Sequence, residues 1–388
     1  MSHVTALPAA LDAFAVAAPG LEMLVASELA ELAQAGAGRV EPGEEEPGGV
    51  AFRADLEGLY AANLHLRIAS RVLVRLSSFR ATSFRELERH AGRVPWTMVL
   101  GPSPTIRFRV TSKKSRLYHQ DAVAQRLLAS VASAVADVRE GASEDADVQE
   151  IVVRIFRDQC TVSADASGEL LHRRGYRQQT AKAPLRETLA AAMLRASGWN
   201  DDAPLLDPLC GSGTIPIEAA MVARRIPPGL DRRFAFMRWP GFDSGRWERL
   251  VEHAKARIRP AAPSSILGSD RDAGAVAAAA ANAERAGVAE DIEWRRAALS
   301  AIVPPPGPGW IVSNPPYGVR VGERRALRDL YAQLGHVVRR CCPGWQVALL
   351  TAHAELERQT GLDFSVRFTT DNGGIRVRMV QGGVASAA

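Results

Sequence analysis

Residues Asn314, Pro315, Pro316 and Tyr317 have types and an order that suit one kind of chemistry. They follow Trp310-Ile311-Val312, a short apolar run that reads as a buried strand. Two consecutive prolines remove two backbone donors and stiffen the turn. A rigid turn of this kind holds an Asn side-chain oxygen and a backbone carbonyl as fixed acceptors. The exocyclic amine of a nucleobase is a poor nucleophile, because its lone pair is delocalised into the ring. Two acceptors on its hydrogens localise that pair and aim it at a methyl sulfonium. Tyr317 supplies a ring for the base to stack on, once the base is flipped out or already unpaired. Alone, Asn-Pro-Pro-Tyr is more often a loop than a site; its meaning comes from the motifs that precede it.

The first of these is Asp207-Pro208-Leu209-Cys210-Gly211-Ser212-Gly213-Thr214, between apolar Leu205-Leu206 and a helical pattern from Ile215 to Arg224. A strand, glycine loop and helix in that order let backbone approach a ligand at the carboxyl edge of a sheet. The loop is neither a Walker loop nor GxGxxG, and it lacks the Gly-Lys-Ser/Thr ending that phosphate transfer uses. The next strand, Ser265-Ile266-Leu267, runs into Gly268-Ser269-Asp270-Arg271-Asp272. An acid at this point can accept both hydroxyls of a ribose. Asp270 is favoured for that role, and Asp272 reads as the N-cap of the helix through Ala275 to Arg285. Cys210 reads as a small residue packed under a cofactor; an attacking amine requires no covalent enzyme intermediate.

These elements need a scaffold. A chain of 388 residues implies two or three domains. The net charge of +5 is a modest excess that weakly favours an anionic partner. The only lysines are Lys113, Lys114, Lys182 and Lys255, so the positive charge is nearly all arginine. The four cysteines make no metal-ligand spacing, which argues against a metal site and against a disulfide framework. No secretory signal and no transmembrane run is expected, which makes the expected location cytoplasmic.

From residue 184 onward helices alternate with short apolar strands, ending in Gln346 to Leu350, the pattern of a doubly wound parallel sheet. The N-terminal half is expected to be α+β. It has a strand at Phe14 to Ala17, a helix from Leu21 to Ala35 and an exposed acidic loop from Glu41 to Gly49. Further on come a strand from Thr105 to Val110, a basic loop over Ser112, Lys113, Lys114, Ser115 and Arg116, and a helix from Gln120 to Val138. Ile151 to Phe156 and Gln159 to Ala164 read as a hairpin across Arg157-Asp158, and Asp371 to Gly374 as a second hairpin turn. The polar, basic stretch from Ser167 to Ala183 reads as a linker.

The combination resembles the class I methyltransferases of the amino-group type, and more narrowly the THUMP-domain RNA guanine-N2 methyltransferases. Ala18-Pro19-Gly20-Leu21-Glu22 resembles that family's N-terminal ferredoxin-like segment. Asn63-Leu64 through Arg71-Val72-Leu73, and Leu117 to Val123, resemble its THUMP region. Gly175-Tyr176-Arg177, Lys182 to Glu187 and the glycine loop resemble its catalytic domain. The resemblance implies a C-terminal Rossmann-like class I methyltransferase domain over residues 184–388, preceded by α+β ferredoxin-like (1–62) and THUMP (63–167) domains and a linker (168–183).

It implies S-adenosyl-L-methionine as cofactor, lined by Pro184, Leu185, Asp207, Cys210, Gly211, Ser212, Gly213, Thr214, Asp270, Arg271 and Asn314. The target guanine is held by Asn314, Pro315, Pro316 and Tyr317, and RNA is bound by Lys113, Lys114 and Arg116, with Arg107, Arg109, Arg154 and Arg157 nearby. One departure stands out: after Ile292 to Arg295, where related enzymes often present an Asp to the adenine, this chain has Arg296-Ala297-Ala298. The overall match favours 23S rRNA. Transfer RNA, a DNA adenine-N6 activity and a non-catalytic RNA-binding protein remain as alternatives.

Overall fold

The computed structural model describes residues 8–141, 147–178, 185–317 and 324–385. It divides into two compact units. One contains the chain up to Val16, residues 26–171 and residues 232–252; the other contains residues 17–25, 172–231 and the chain from His253 onward.

The first unit is built on an eight-stranded sheet. Its strands are β1 (Leu11–Val16), β2 (Val40–Glu46), β3 (Gly49–Ala54), β4 (Arg71–Arg80), β5 (Thr105–Lys113), β6 (Arg139–Glu140), β7 (Gln149–Phe156) and β8 (Gln159–Asp165), in the order β2-β3-β1-β4-β8-β7-β5-β6. Its helices are α1 (Glu22–Ala35, which crosses the unit boundary), α2 (Leu56–His65), α3 (Phe84–Ala91) and α4 (Gln120–Ala134). The helix starts follow from side-chain chemistry. Asp55 caps α2 by accepting from the Gly58 N–H at 2.7 Å. Ser83 caps α3, while Glu86 reaches back to the Thr82 N–H at 2.7 Å, a capping box displaced by one residue.

Three expectations change here. The acidic stretch at 41–46 is not a loop but edge strand β2; Pro42 and the charges are tolerated because the strand pairs on one side only, with a bulge between Pro42 and Glu45. Strand β5 runs past Val110 to Lys113, so Ser112 and Lys113 belong to the strand and the loop begins at Lys114, with φ +54. Helix α4 stops at Ala134 rather than Val138.

The segment 232–252 packs within the first unit through an aromatic cluster. Tyr60 of α2 stacks on Phe236 at 4.5 Å between ring centroids, Phe242 and Trp247 meet it edge-on, and its hydroxyl accepts from the Asp243 N–H at 3.0 Å.

In the second unit the strands are β9 (Leu205–Asp207), β10 (Ile266–Asp270), β11 (Ile292–Arg296), β12 (Trp310–Ser313), β13 (Gln346–Thr351), β14 (Ser365–Asn372) and β15 (Ile375–Gly383). Their order is β11-β10-β9-β12-β13-β15-β14; the first five are parallel and β15 runs against both its neighbours. The helices are α5 (Glu187–Ala196), α6 (Thr214–Ala223), α7 (Ser244–Ala256, shared with the first unit), α8 (Ala273–Arg285), α9 (Arg324–Cys341) and α10 (Ala354–Gln359). A core of Leu206, Leu267, Ile311, Leu334, Val338, Val347 and Leu349 lies between sheet and helices. No helix among the described residues is long and apolar enough to cross a membrane.

Candidate active site

Strands β9 and β12 are neighbours at the middle of the sheet, and the chain leaves them in opposite directions, from β9 to β10 and from β12 to β13. That is a topological switch point, beyond whose carboxyl ends ligands lodge in open α/β sheets. All three motifs sit there: Asp207 ends β9, Asp270 ends β10 and Asn314 follows β12.

The glycine loop is fastened to β10. The Cys210 N–H donates to the Ser269 carbonyl at 3.0 Å and the Gly211 N–H to Asp270 Oδ2 at 3.1 Å. Asp270 Oδ1 accepts from the Asp272 N–H at 3.0 Å. Each carboxylate oxygen therefore takes one backbone donor and keeps capacity for a hydroxyl. Asp272 caps α8, accepting from Gly274 and Ala275. The two glycines do different work. Gly211 (φ +53) has nothing within 4 Å of where a Cβ would stand, which leaves bare backbone facing open space. At Gly213 (φ +83) a Cβ would lie 2.7 Å from the Trp294 ring and 2.8 Å from Ala279 Cβ, so it is there for packing.

Asp207 is fully buried. Its Oδ1 accepts from the Ser313 hydroxyl at 2.6 Å and from the Leu209 N–H at 3.2 Å. Burial pushes its carboxyl up to about 7, against the pull of those two donors and with a push from the charge on Asp270. Ser313 thereby stitches the end of β12 to the end of β9, a role that nothing in the local sequence signals.

Asn314 Oδ1 is buried and has no hydrogen-bond partner among the described residues, an acceptor held ready and costly to leave unmet. Pro315 is buried and Pro316 exposed. Tyr317 is buried, and its hydroxyl accepts from Asn372 Nδ2 at 2.7 Å. Asn372 ends β14 at the expected hairpin turn, where Gly373 (φ +58) and Gly374 (φ +84) carry the left-handed backbone.

Sequence reasoning missed a second layer. Leu185 is buried, and its carbonyl accepts from Arg177 Nη1 at 2.7 Å, while Arg177 Nη2 reaches Glu187 Oε2 at 2.8 Å in the first turn of α5. Burial raises the Glu187 carboxyl to about 7. The Tyr176 hydroxyl donates to Glu218 Oε1 at 3.1 Å, beside Arg174. Arg285 donates to the Tyr176 carbonyl, and Asn282 Nδ2 to the Ser212 carbonyl at 3.0 Å. The basic stretch read as a linker thus carries buried Arg174 and Tyr176, bonded through α6 and α8 to the glycine loop. The sequence hint was the run of Arg173, Arg174 and Arg177 around Tyr176, dense in Arg for a tether. Pro184, Lys182 and Gly318 lie outside the described residues.

Ser212, Thr214 and Cys210 are buried, and Arg271 is exposed. At the position of the missing Asp, the Ala297 N–H donates to the Asp270 carbonyl, which leaves Ala297 a methyl group and a carbonyl to offer.

Of the basic residues, Lys113 at the end of β5 and Lys114 and Arg116 on the following loop are exposed; that loop is pinned by the Arg116 N–H to Asp158 Oδ1 (2.8 Å) and the Asp158 N–H to Ser115 Oγ (3.1 Å). Arg107 and Arg109 are instead engaged by buried Glu150, at 2.7 and 3.0 Å. Arg224 and Arg232 are structural: Arg224 binds the Arg259 and Gly287 carbonyls and Asp291, and Arg232 the Leu170 and Glu169 carbonyls.

The strand order and the three motifs at the switch point define a class I methyltransferase. Comparison with known proteins agrees. Residues 174–381 match the model of the RMKL-like methyltransferase domain, and residues 12–73 that of the RlmL ferredoxin-like domain. The chain therefore belongs to the RMKL-like methyltransferase family, whose cofactor is S-adenosyl-L-methionine. A Synechocystis protein named as an RNA methyltransferase is 37% identical over 93% of this chain and 94% of its own. The ribosomal RNA large subunit methyltransferase K/L of Methylococcus capsulatus is 36% identical over 96% of this chain but 51% of its own length, so the chain spans about half of such K/L enzymes. The crystal structure of SMU.472, described as a methyltransferase and complexed with SAH, superposes with a TM-score of 0.87 at 28% identity, over 98% of this chain and 100% of that one.

Proposed function

We propose that the chain methylates the N2 amino group of an unpaired guanine in RNA, the 23S RNA of the large ribosomal subunit, in the cytoplasm. The observation that carries this reading is the buried Asn314 Oδ1 at the carboxyl end of β12, without a partner among the described residues. A buried acceptor left unmet is matched by an amine hydrogen, and the Pro315 carbonyl takes the other. Tyr317, already held by Asn372, presents its ring without having to be ordered on binding.

The residues at the switch point fit the cofactor. Gly211 offers open backbone, Asp270 keeps acceptor capacity for two hydroxyls, and Asp207, Cys210, Ser212, Gly213 and Thr214 form the floor. Leu185 closes the methionine end, and Arg271 lies at the rim. When bound, S-adenosyl-L-methionine supplies an electrophilic methyl group. The protein contributes position: fixing an amine in line is worth roughly 7–11 kcal/mol. Asn314 and Pro315 orient the amine, and the surplus proton leaves to solvent. The ferredoxin-like and THUMP regions, with Lys113, Lys114 and Arg116, bring RNA by phosphate contacts, which predicts binding that weakens steeply with salt. The K/L relatives support a ribosomal target over a transfer RNA.

Substituting Asn314→Ala should lower methylation by about two to three orders of magnitude and leave cofactor affinity, read by calorimetry, within about twofold. Normal turnover in that variant would sink the assignment. Mass spectrometry of separated rRNA and tRNA from a deletion strain, with methylation of purified RNA and DNA alongside, identifies the substrate.

A further inference from the structure

A cavity of about 260 Å³ opens in the second unit between the start of α9 and the turn from β13 into α10. Arg324, Arg328, His353 and Glu355 bring polar groups to it, and Leu327 and Leu356 apolar ones. Its place follows from the sheet. β12 and β13 are parallel neighbours, and Ser313 stands level with Leu349. Asn314 is therefore level with Leu350, and His353 comes three residues further on. Strand spacing and rise put the cavity on the order of 10 Å from the Asn-Pro-Pro turn. The glycine loop and Asp270 belong to β9 and β10, on the other flank of β12, so the cavity is clear of the acid that suits the ribose.

The lining is cationic and poorly matched within the protein. Arg324 is exposed and makes no ion pair among the described residues. Arg328 meets Glu355 at 3.5 Å, with the two side chains 53% and 65% exposed. A pair so loose and so wet is worth little, and a stronger anion displaces it. His353 Nε2 is shut off from water and has no partner among the described residues, so a polar occupant of the cavity is what would satisfy it. Two guanidiniums and an imidazole around so small a void suit one phosphate, with its sugar against Leu327 and Leu356. No Phe, Tyr or Trp lines the cavity to stack a base.

We propose that this cavity is a phosphate subsite for the target strand. It takes the backbone phosphate beside the nucleotide whose amine Asn314 holds, and so fixes that nucleotide along the sheet edge. The inference rests on the RNA-methylation reading for its ligand.

The test uses the full chain and calorimetry with guanosine, its 5′- and 3′-monophosphates, and inorganic phosphate. One of the two monophosphates should bind about tenfold tighter than guanosine. Arg324→Ala should erase that advantage and leave guanosine affinity as it was, and Arg324→Lys should keep part of it. In RNA, one neutral methylphosphonate beside the methylated guanine should raise KM about tenfold in wild type and raise it no further in Arg324→Ala. The subsite is refuted if neither monophosphate outbinds guanosine, or if Arg324→Ala keeps the whole advantage. Inorganic phosphate binding as tightly as the better monophosphate would also overturn it, by showing a site for a free anion. A phosphate advantage lost in Arg324→Ala, in a wild type that methylates no RNA, would overturn the proposed function and uphold the subsite. RNA methylation with the same KM in wild type and Arg324→Ala would do the reverse.

Discussion

Asp207 is a carboxyl surrounded by protein on every side, and its behaviour with pH follows. Folding raises its pKa from the ordinary 3.8 to about 7, so the native state keeps a proton that the unfolded chain releases. Between about pH 4 and 7 this group makes the fold less stable as pH rises; outside that window it contributes no slope. Glu187, also raised to about 7, acts in the same sense. Denaturant unfolding at pH 5 and pH 7.5 should therefore show wild type losing stability, and Asp207→Asn losing less. Parallel pH profiles would contradict this account. The motif was legible as residues at the end of an apolar strand, but the hydroxyl that Asp207 holds belongs to Ser313, 106 positions away.

Among the elements, β10 and β11 show how the glycine loop is supported. Trp294 of β11 lies over Gly268 of β10, where a Cβ would stand 2.3 Å from its ring, and beneath Gly213. Gly268→Ala should destabilise the protein by about 1–3 kcal/mol in urea titrations, and adding Trp294→Leu should recover part of that loss by making room. If Gly268→Ala were neutral, the ring would not be the support inferred. The order of strand, loop and helix was readable here because it is local. The division of labour between Gly211 and Gly213 was not, because it depends on which ring a neighbouring strand brings underneath. Strand β2 went unread for a similar reason: Pro42 and four glutamates look like a loop until β3 pairs with them on one side.

Across the whole molecule, the chain is not cut where its motifs suggest. Residues 232–252 follow the glycine loop and α6 in sequence yet pack in the first unit, around Tyr60. A fragment of residues 8–171 lacks Phe234, Phe236, Phe242 and Trp247, so Tyr60 loses its stacked partner and the donor to its hydroxyl. Its thermal midpoint should rise when a peptide of residues 232–252 is added, which melting curves with and without the peptide would read. An unchanged midpoint would show that the cluster contributes nothing to that unit.

Local runs of sequence determined the class of chemistry. An apolar strand followed by a glycine loop, an acid at the next strand end and Asn-Pro-Pro-Tyr at a third are each contiguous, and the residue types needed to hold a nucleoside and an amine are set by the ligands' own groups. The tertiary structure alone decided which polar atoms are met and which are left waiting. Asn314 Oδ1 has no partner among the described residues, Asp207 is taken by Ser313, and Tyr317 by Asn372. Those outcomes turn on strand order and register between segments far apart in the chain, and no local pattern encodes either.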